Sequence, residues 1–158
     1  MPVNVSITPE TLAALGAHAR STYPDECCGI IVERDGDEEV VRVTNIQNMQ
    51  HATDPVQFPR TARIAYTMDP QQLFRMLQDA QDGKLRLRAF YHSHPDHDAY
   101  FSQEDKRQAL SWDEPNYPDA AQIVLSVRCR FVRAAKAFVW DAAARDFVEV
   151  PLVAAGDF

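Results

Sequence analysis

The chain has 158 residues, a length that fits one domain, and 46% of them are hydrophobic, which is enough for a core and excludes extensive disorder. Its 23 acidic and 16 basic residues give a net charge of −7 without a basic cluster, which argues against a nucleic-acid partner. No apolar run approaches the ~18 residues of a membrane span, and the first residues lack the features of a signal peptide. We therefore expect one domain over residues 1–158 with no membrane partner.

The first half of the chain alternates strand and helix signals. Thr8 is suited to cap a helix that has Pro9 at its first position, and Asp35-Gly36 is typical of a hairpin turn. The predicted elements are a strand over 3–7, a helix over 9–21, hairpin strands over 28–33 and 39–46, a strand over 64–68, and a helix that runs from Pro70 to a stop at Gly83.

Residues 47–63 interrupt this pattern. They are polar, contain Pro55 and Pro59, and show little periodicity. Two interpretations remain open at this stage: an ordinary surface loop, or a substrate-facing loop carried by a rigid scaffold.

The second half of the chain is rich in strands. The predicted elements are a strand over 85–94, a helix over 102–111, and strands over 123–127, 131–140 and 147–153. Together with the first half they predict an α/β fold with antiparallel hairpins, in which helices cover a sheet.

The three cysteines, Cys27, Cys28 and Cys129, give no sign of a disulfide framework. Their number is odd, two of them are adjacent, and no CxxC spacing occurs. This usage favours a reduced, cytoplasmic chain in which Cys28 is a small buried residue. A redox or metal role for Cys27 or Cys28 is the less favoured alternative.

The most informative stretch is HSHP at 92–95, followed by Ser102 and Asp105. Alternate residues of a strand face the same way, so His92 and His94 share one face. Asp105 lies one turn into a helix that begins near Ser102. Two imidazoles and one carboxylate form a three-ligand zinc site with one position left for water, which is the composition of catalytic rather than structural sites.

A simpler interpretation competes with this one. A histidine on an apolar strand is most often a hydrogen-bonded core residue, and pairs of the form HxH are common. Ser102 and Asp105 are also what a helix start requires, since they complete a sequence close to a capping box.

The longer pattern resembles the JAMM motif of the MPN-type zinc metalloproteases. In that family H-[ST]-H-P is followed by six or seven residues, Ser, two residues and Asp, and here HSHP at 92–95 precedes Ser102 and Asp105 with the same spacing. The family also has a distant upstream Glu, matched by Glu26 just before Cys28-Gly29, as in bacterial members. The resemblance covers about residues 5–150 and implies a single MPN domain with a cytidine-deaminase-like fold, in which helices flank a curved, mixed and mostly antiparallel sheet.

The resemblance also implies roles for these residues. His92, His94 and Asp105 would hold one Zn²⁺ per chain. Glu26 would act as general base and then as general acid, and the Ser102 hydroxyl would donate to the oxyanion of the tetrahedral intermediate.

Other polar residues near the motif receive simpler assignments. Ser93 points away from the ligands and is expected to pack or form a hydrogen bond. His97 is expected to be a solvent-exposed loop residue, and His18 and His51 to be surface residues.

Members of the family hydrolyse peptide or isopeptide bonds, often after the C-terminal Gly-Gly of ubiquitin-like proteins. The compact chain is similar to the stand-alone bacterial and archaeal members, some of which act on ubiquitin-like sulfur-carrier proteins. The resemblance therefore implies a deubiquitinase-like zinc metallopeptidase with such a carrier as substrate. Residues 47–63 are a hypothetical site for strand addition by the carrier tail.

Three alternatives remain at this point. The first is a non-catalytic MPN scaffold that only binds partners. The second is another zinc hydrolase with an HxH pair, such as an amidohydrolase, and the third is a JAMM peptidase that acts on small peptides of cell-wall or phage-tail origin.

Overall fold

A computed structural model describes residues 4–154 of the chain. Its elements, in chain order, are β1 (Val5–Ser6), α1 (Pro9–Thr22), β2 (Cys28–Arg34), β3 (Asp37–Val43), α2 (Gln47–Thr53), α3 (Pro70–Gln81), β4 (Arg86–Pro95), α4 (Gln103–Ala109), β5 (Leu110–Ser111), β6 (Glu114–Pro115), β7 (Ala121–Arg128), β8 (Phe131–Asp141), β9 (Asp146–Val150) and β10 (Leu152–Val153).

A six-stranded sheet with the order β3-β2-β4-β7-β8-β9 forms the centre of the domain. Its neighbouring strands are antiparallel except for β4 and β7, which are parallel. Parallel neighbours need a crossover connection, and here the crossover contains α4 and the small hairpin of β5 and β6. The prediction of a mixed, mostly antiparallel sheet flanked by helices in one α/β domain is confirmed.

Helices cover both faces of the sheet. Thr8 caps α1 by accepting a hydrogen bond from the Thr11 N–H at 3.1 Å. The apolar side of α1 then packs on one face of the sheet, where Leu15 meets Ile31 and Tyr91. On the other face, Leu73 and further residues of α3 pack against the alternate residues of the same strands, Ile30, Val32 and Phe90. Two-residue periodicity thus gives each central strand two buried faces.

The β2–β3 hairpin has the turn that its sequence predicts. Asp35 and Gly36 both have positive φ, as a two-residue hairpin turn of this hand requires. Gly29 in β2 is needed for a different reason: it is paired with Tyr91, and a Cβ atom at position 29 would collide with the Tyr91 ring.

Several predicted boundaries are wrong. Residues 47–63 begin with helix α2, and the predicted strand over 64–68 reduces to a single bridge between Asn45 and Met68. The predicted helix over 102–111 ends at Ala109 because the next two residues pair in the β5–β6 hairpin.

The terminal strands also differ from the prediction. The predicted strand over 147–153 is divided at Pro151, which has no N–H to donate to a ladder, into β9 and β10. β10 pairs in parallel with β1, the described part of the predicted strand over 3–7, since Val3 lies outside the described residues. Within residues 4–154, each helix is too short or too polar to cross a lipid bilayer.

Candidate active site

Strand β4 carries the two predicted imidazole ligands in the middle of the sheet. His92 is paired with Cys28 of β2 on one side and with Val124 of β7 on the other, so its backbone is fixed along both edges. The exposed fractions of His92 and His94 are 1% and 6%. Strand alternation puts both rings on the same face, as the spacing predicts.

Asp105 reaches this pair from the first turn of α4. Ser102 caps the helix: its Oγ accepts the Asp105 N–H at 3.0 Å, and Asp105 Oδ2 accepts the Ser102 N–H at 2.9 Å. This is the capping box of the simpler interpretation. The same Oδ2 lies 3.1 Å from His92 Nε2 and 3.3 Å from His94 Nε2, and the two nitrogens are 3.1 Å apart. The structure therefore brings the three residues together.

The spacing of these three atoms fits a zinc ion. Ligand atoms about 2.1 Å from a tetrahedral ion lie roughly 3.4 Å from one another, close to the observed separations. His94 Nδ1 donates to the carbonyl oxygen of Asp98 at 2.9 Å, which leaves the Nε2 lone pair of His94 available for a metal. Nitrogen and carboxylate ligands in this number suit zinc.

Protonation favours metal binding as well. Burial lowers the pKa of His92, so the imidazole is neutral, as a ligand must be. Burial alone would raise the pKa of Asp105, but the hydrogen bonds from His92 and from the Ser102 N–H outweigh it and hold the pKa well below its usual range. The carboxylate therefore stays ionised beside two imidazoles.

Glu26 brings a second carboxylate to the same place. It immediately precedes Cys27 and β2, is 5% exposed, and has a carboxylate oxygen that lies with the ring nitrogens of His92 and His94 in a group spanning no more than 4.8 Å. Burial, together with the charge of Asp105, raises the pKa of Glu26 to about 9. Asp105 makes the shorter contacts with the imidazoles, and Glu26 stands beside them as a second buried carboxylate.

The loop that holds Glu26 is fixed by one hydrogen bond to a side chain and one to the main chain. Ser93, on the face of β4 opposite to the imidazoles, accepts the Cys27 N–H at 2.8 Å, as predicted from its position. The Glu26 N–H donates to the carbonyl of Ala62 at 2.7 Å. Both bonds hold the main chain next to the carboxylate.

Asn45 is a positioning residue that the sequence did not reveal. Its Nδ2 donates to the carbonyls of Glu26 and Ala65 at 2.9 and 3.2 Å, and its Oδ1 accepts the N–H groups of Gln47 and Thr67, each at 3.0 Å. All four hydrogen-bonding positions of the amide are used. Asn45 therefore links the Glu26 loop to the start of α2 and to the segment that contains Tyr66.

Two tyrosines complete the surroundings of the imidazoles. The Tyr66 ring stacks on His92 with ring centres 4.5 Å apart, and Tyr100 meets His94 edge-on at 5.0 Å. The spacing of these residues gave no signal of this role, because both lie in irregular segments.

Two adjoining depressions open at the site. The first, the catalytic cleft, has a volume of about 270 Å³ and is lined by Glu26, His94, Ser102 and Asp105 among others. The second, the uncharged groove, has a volume of about 440 Å³, and none of its lining residues is acidic, basic or histidine. The two share Tyr66 and Gln108.

The predictions for the other histidines and for Cys28 are partly confirmed and partly wrong. His97 is exposed at the edge of the cleft, as predicted. Cys28 is buried, as predicted. His18 is not a surface residue: it is 8% exposed, its Nδ1 lies 2.6 Å from the Tyr91 hydroxyl, and burial lowers its pKa to about 4. His51 is half-buried, with Nδ1 donating to the Phe58 carbonyl at 2.8 Å.

Curated relatives share sequence with most of the chain. A CysO-cysteine peptidase of Mycobacterium tuberculosis is 27% identical over 122 residues, which cover 77% of this chain and 73% of the relative. A desampylase of Haloferax volcanii is 29% identical over 118 residues, 72% of this chain and 76% of the relative.

Solved structures share the fold. A protein from Desulfitobacterium hafniense superposes with a TM-score of 0.67 at 23% identity, over 97% of this chain and 94% of its own. A JAB1/MPN domain protein from Archaeoglobus fulgidus superposes with a TM-score of 0.52 at 13% identity, over 96% of this chain and 100% of its own. The model of the prokaryotic homologs of the JAB domain matches residues 8–139, and the chain belongs to that family.

Proposed function

We propose that the chain is a zinc metallopeptidase that hydrolyses the peptide or isopeptide bond after the C-terminal Gly-Gly of a ubiquitin-like or sulfur-carrier protein. The observation that carries the proposal is the convergence of His92, His94 and Asp105 beside Glu26. The names of the two curated relatives, a CysO-cysteine peptidase and a desampylase, support hydrolysis at a small protein. A scaffold that only binds partners has no need of Glu26 buried beside two imidazoles, where desolvation is costly.

His92, His94 and Asp105 would hold the zinc ion. Zinc bound there would supply Lewis-acid chemistry, which lowers the pKa of water toward ~7 and polarises a carbonyl group. The tautomer of His94 is set by the Asp98 carbonyl, and the ionised Asp105 is held by the Ser102 N–H, so both ligands are oriented in advance.

Glu26 moves the proton. Its carboxylate takes a proton from the attacking water and returns it to the nitrogen of the departing amine, as general base and then general acid. Burial raises the pKa of Glu26 to about 9 in the metal-free protein, which favours the protonated form needed for the second half of this cycle. A cation held by His92, His94 and Asp105 would favour the ionised carboxylate that the first half needs. Ser93 and Asn45 both bind the peptide group that joins Glu26 to Cys27, and so fix the main chain beside the carboxylate.

Ser102 combines two roles without conflict. Its oxygen accepts the Asp105 N–H through a lone pair, so the hydroxyl proton is left to be donated. The residue lines the catalytic cleft, where that proton stabilises the developing oxyanion of the carbonyl under attack.

The carrier tail binds along an open backbone edge at 66–68. Asn45 and Met68 form a bridge whose flanking hydrogen bonds, each 2.9 Å, run from Ile46 N to Thr67 O and from Asp69 N to Thr44 O. In this antiparallel arrangement the N–H and C=O of Met68 point away from Asn45, toward the side where an extended peptide can pair. Met68 also lines the uncharged groove. We therefore place strand addition at 66–68 and not at 47–63, because the first seven residues of 47–63 use their backbone groups in helix α2.

The test uses carrier proteins that end in Gly-Gly followed by a short extension. The zinc-loaded protein should release the extension and leave a carrier that ends in Gly-Gly, which mass spectrometry identifies. Glu26→Gln serves as the matched inactive variant. No cleavage of any carrier, with one zinc bound per chain, contradicts the proposal.

A further inference from the structure

Arg60 is the one arginine or lysine among the described residues that line the catalytic cleft. Three carboxylates, Glu26, Glu104 and Asp105, line the same cleft. Arg60 takes part in none of the ion pairs formed within residues 4–154, so its guanidinium is not committed to any of them. A permanent positive charge thus stands beside the reacting groups without a partner.

The backbone around Arg60 is tied to that of Glu26. The carbonyl of Arg60 accepts a hydrogen bond from Nε2 of the buried Gln47 at 3.0 Å. Two residues later, the carbonyl of Ala62 accepts the Glu26 N–H at 2.7 Å, and the Ala62 N–H donates to Asn48 at 2.8 Å. Arg60 therefore enters the cleft from the side of Glu26. Burial raises the pKa of Glu26, and the Arg60 charge offsets part of that rise.

The order of the two depressions sets the direction in which a substrate chain runs through the site. The uncharged groove offers the backbone edge at 66–68 and no charged side chain, which suits an extended glycine tail. It meets the catalytic cleft at Tyr66 and Gln108. A chain that enters along the groove therefore places the residue after the scissile bond in the cleft, next to Arg60.

We propose that Arg60 binds the α-carboxylate of a single amino-acid residue that follows the glycine pair, so that the site works as a carboxyl-terminal peptidase. The inference rests on the proposed function and narrows it from peptide or isopeptide bonds to one free C-terminal residue. Water adds to the glycine carbonyl, the C–N bond breaks, and the amine leaves with a proton, which gives a Gly-Gly carboxylate and a free amino acid.

The charge pattern supports this choice of leaving group. A free α-carboxylate is repelled by Glu104 and Asp105 and is attracted only by Arg60 among the charged residues around the cleft, so a planar two-point pair with Arg60 fixes its orientation. A lysine side chain in an isopeptide bond carries no carboxylate to this position and gains nothing from Arg60.

The experiment compares two carriers that end in Gly-Gly-Ala and differ only at the terminus, a free α-carboxylate or an α-amide. Alanine avoids a thiol, which could itself bind zinc. We expect the wild-type protein to show kcat/KM roughly 10- to 100-fold higher for the carboxylate, the range for a hydrogen bond to a charged group. Arg60→Gln should bring this ratio close to one, and Arg60→Lys should keep part of it.

Two controls make the ratio specific. Arg63→Gln removes the same charge from an exposed position nearby that does not line the cleft, and it should keep the wild-type ratio. Calorimetric binding of both carriers to Glu26→Gln, with and without Arg60→Gln, should show the same preference without turnover.

The results distinguish a failure of the proposed function from a failure of the role of Arg60. Cleavage of neither carrier overturns the proposed function, and this inference with it. Equal cleavage of both by the wild-type protein, or a preference that survives Arg60→Gln, overturns the role of Arg60 alone.

Discussion

The two faces of strand β4 hold two buried histidine clusters that satisfy their polar atoms in different ways. Toward α1, Tyr91 meets His18, with Nδ1 2.6 Å from the hydroxyl oxygen, and the two groups form a complementary donor–acceptor pair. On the opposite face His92 Nε2, His94 Nε2 and an ionised oxygen of Asp105 lie within 3.1–3.3 Å of one another. Here His94 Nε2 and the Asp105 oxygen are both hydrogen-bond acceptors, because His94 already donates from Nδ1. Either a proton on His92 Nε2 or a cation between the three atoms is needed to offset the repulsion between them.

These two clusters separate a structural histidine from a candidate metal ligand in a protein interior. Burial does not distinguish them, since His18 and His94 are 8% and 6% exposed. The difference lies in what faces the ring nitrogen: one complementary hydroxyl, or several atoms of the same kind. The first arrangement is complete, and the second is one that a metal ion can satisfy.

The largest effect on turnover is expected from His94→Ala, which removes one ligand from the open cluster. Zinc should fall from about one per chain to near zero, and turnover should fall by at least ~1,000-fold because the Lewis acid is lost. Atomic emission measures the metal and carrier cleavage the activity. His18→Gln, on the other face of β4, is the control and should keep both; a His94→Ala protein that still binds one zinc would contradict the assignment.

Glu26→Gln should keep the metal and reduce turnover by roughly 100- to 10,000-fold, the contribution of a general acid–base group. The same change should stabilise the metal-free protein. Burial raises the pKa of Glu26 from 4.5 to about 9, so the carboxyl group gives up stability as pH rises from 4.5 toward 9. At pH 7 the gain in free energy of unfolding should be about 3 kcal/mol, measured with denaturant and a chelator. Normal cleavage by this variant excludes Glu26 as the proton carrier.

Asn45→Asp should have an intermediate effect, since it keeps the acceptors of the amide but loses both donors, including the bond to the Glu26 carbonyl. We expect kcat to fall by about 10-fold with little change in KM, and stability to fall by about 2 kcal/mol for two hydrogen bonds. Gln72→Ala is the matched control because Gln72 also makes two hydrogen bonds, both to Thr44 and at an exposed position. An equal loss of kcat in the control would show that Asn45 acts through stability alone.

The smallest effect on turnover is expected at His18, which should affect stability and its pH dependence instead. Burial lowers its folded-state pKa from 6.5 to about 4, so between these values the unfolded chain binds the extra proton. The contribution of His18 is therefore fully present above pH 6.5 and is lost as pH falls through 4, by up to about 3 kcal/mol. His18→Gln should flatten the unfolding free energy over this window and leave zinc content unchanged; an unaltered slope would contradict the shift.

Local sequence patterns predict those site residues whose positions are set by a single strand or a single helix start. Strand alternation places His92 and His94, and the helix start places Ser102 and Asp105. His18 could have been found in the same way, because it follows Leu15 by three residues and so belongs to the apolar side of α1.

The rest of the site comes from long-range contacts that no spacing encodes. Glu26 was identified only through the family resemblance, because its position depends on the pairing of β2 with β4. Arg60 belongs to the segment 47–63, which has no periodicity, and Asn45 and Tyr66 lie just outside its two ends. This region is held by bonds between side chains and main chain rather than by an apolar stripe. Patterns of hydrophobicity carry no information about such bonds.

The shortness of α4 gives metal binding a mechanical consequence. The helix has seven residues, too few to be stable by itself, and Asp105 is its one buried residue. Ala109 packs on the apolar cluster of Val124 and Phe138, but the one fully buried contact of the helix is made by a carboxylate. A cation held by Asp105 and the histidines of β4 would link helix α4 to the strand. Metal binding would then be coupled to the ordering of α4 and of Ser102 at its start.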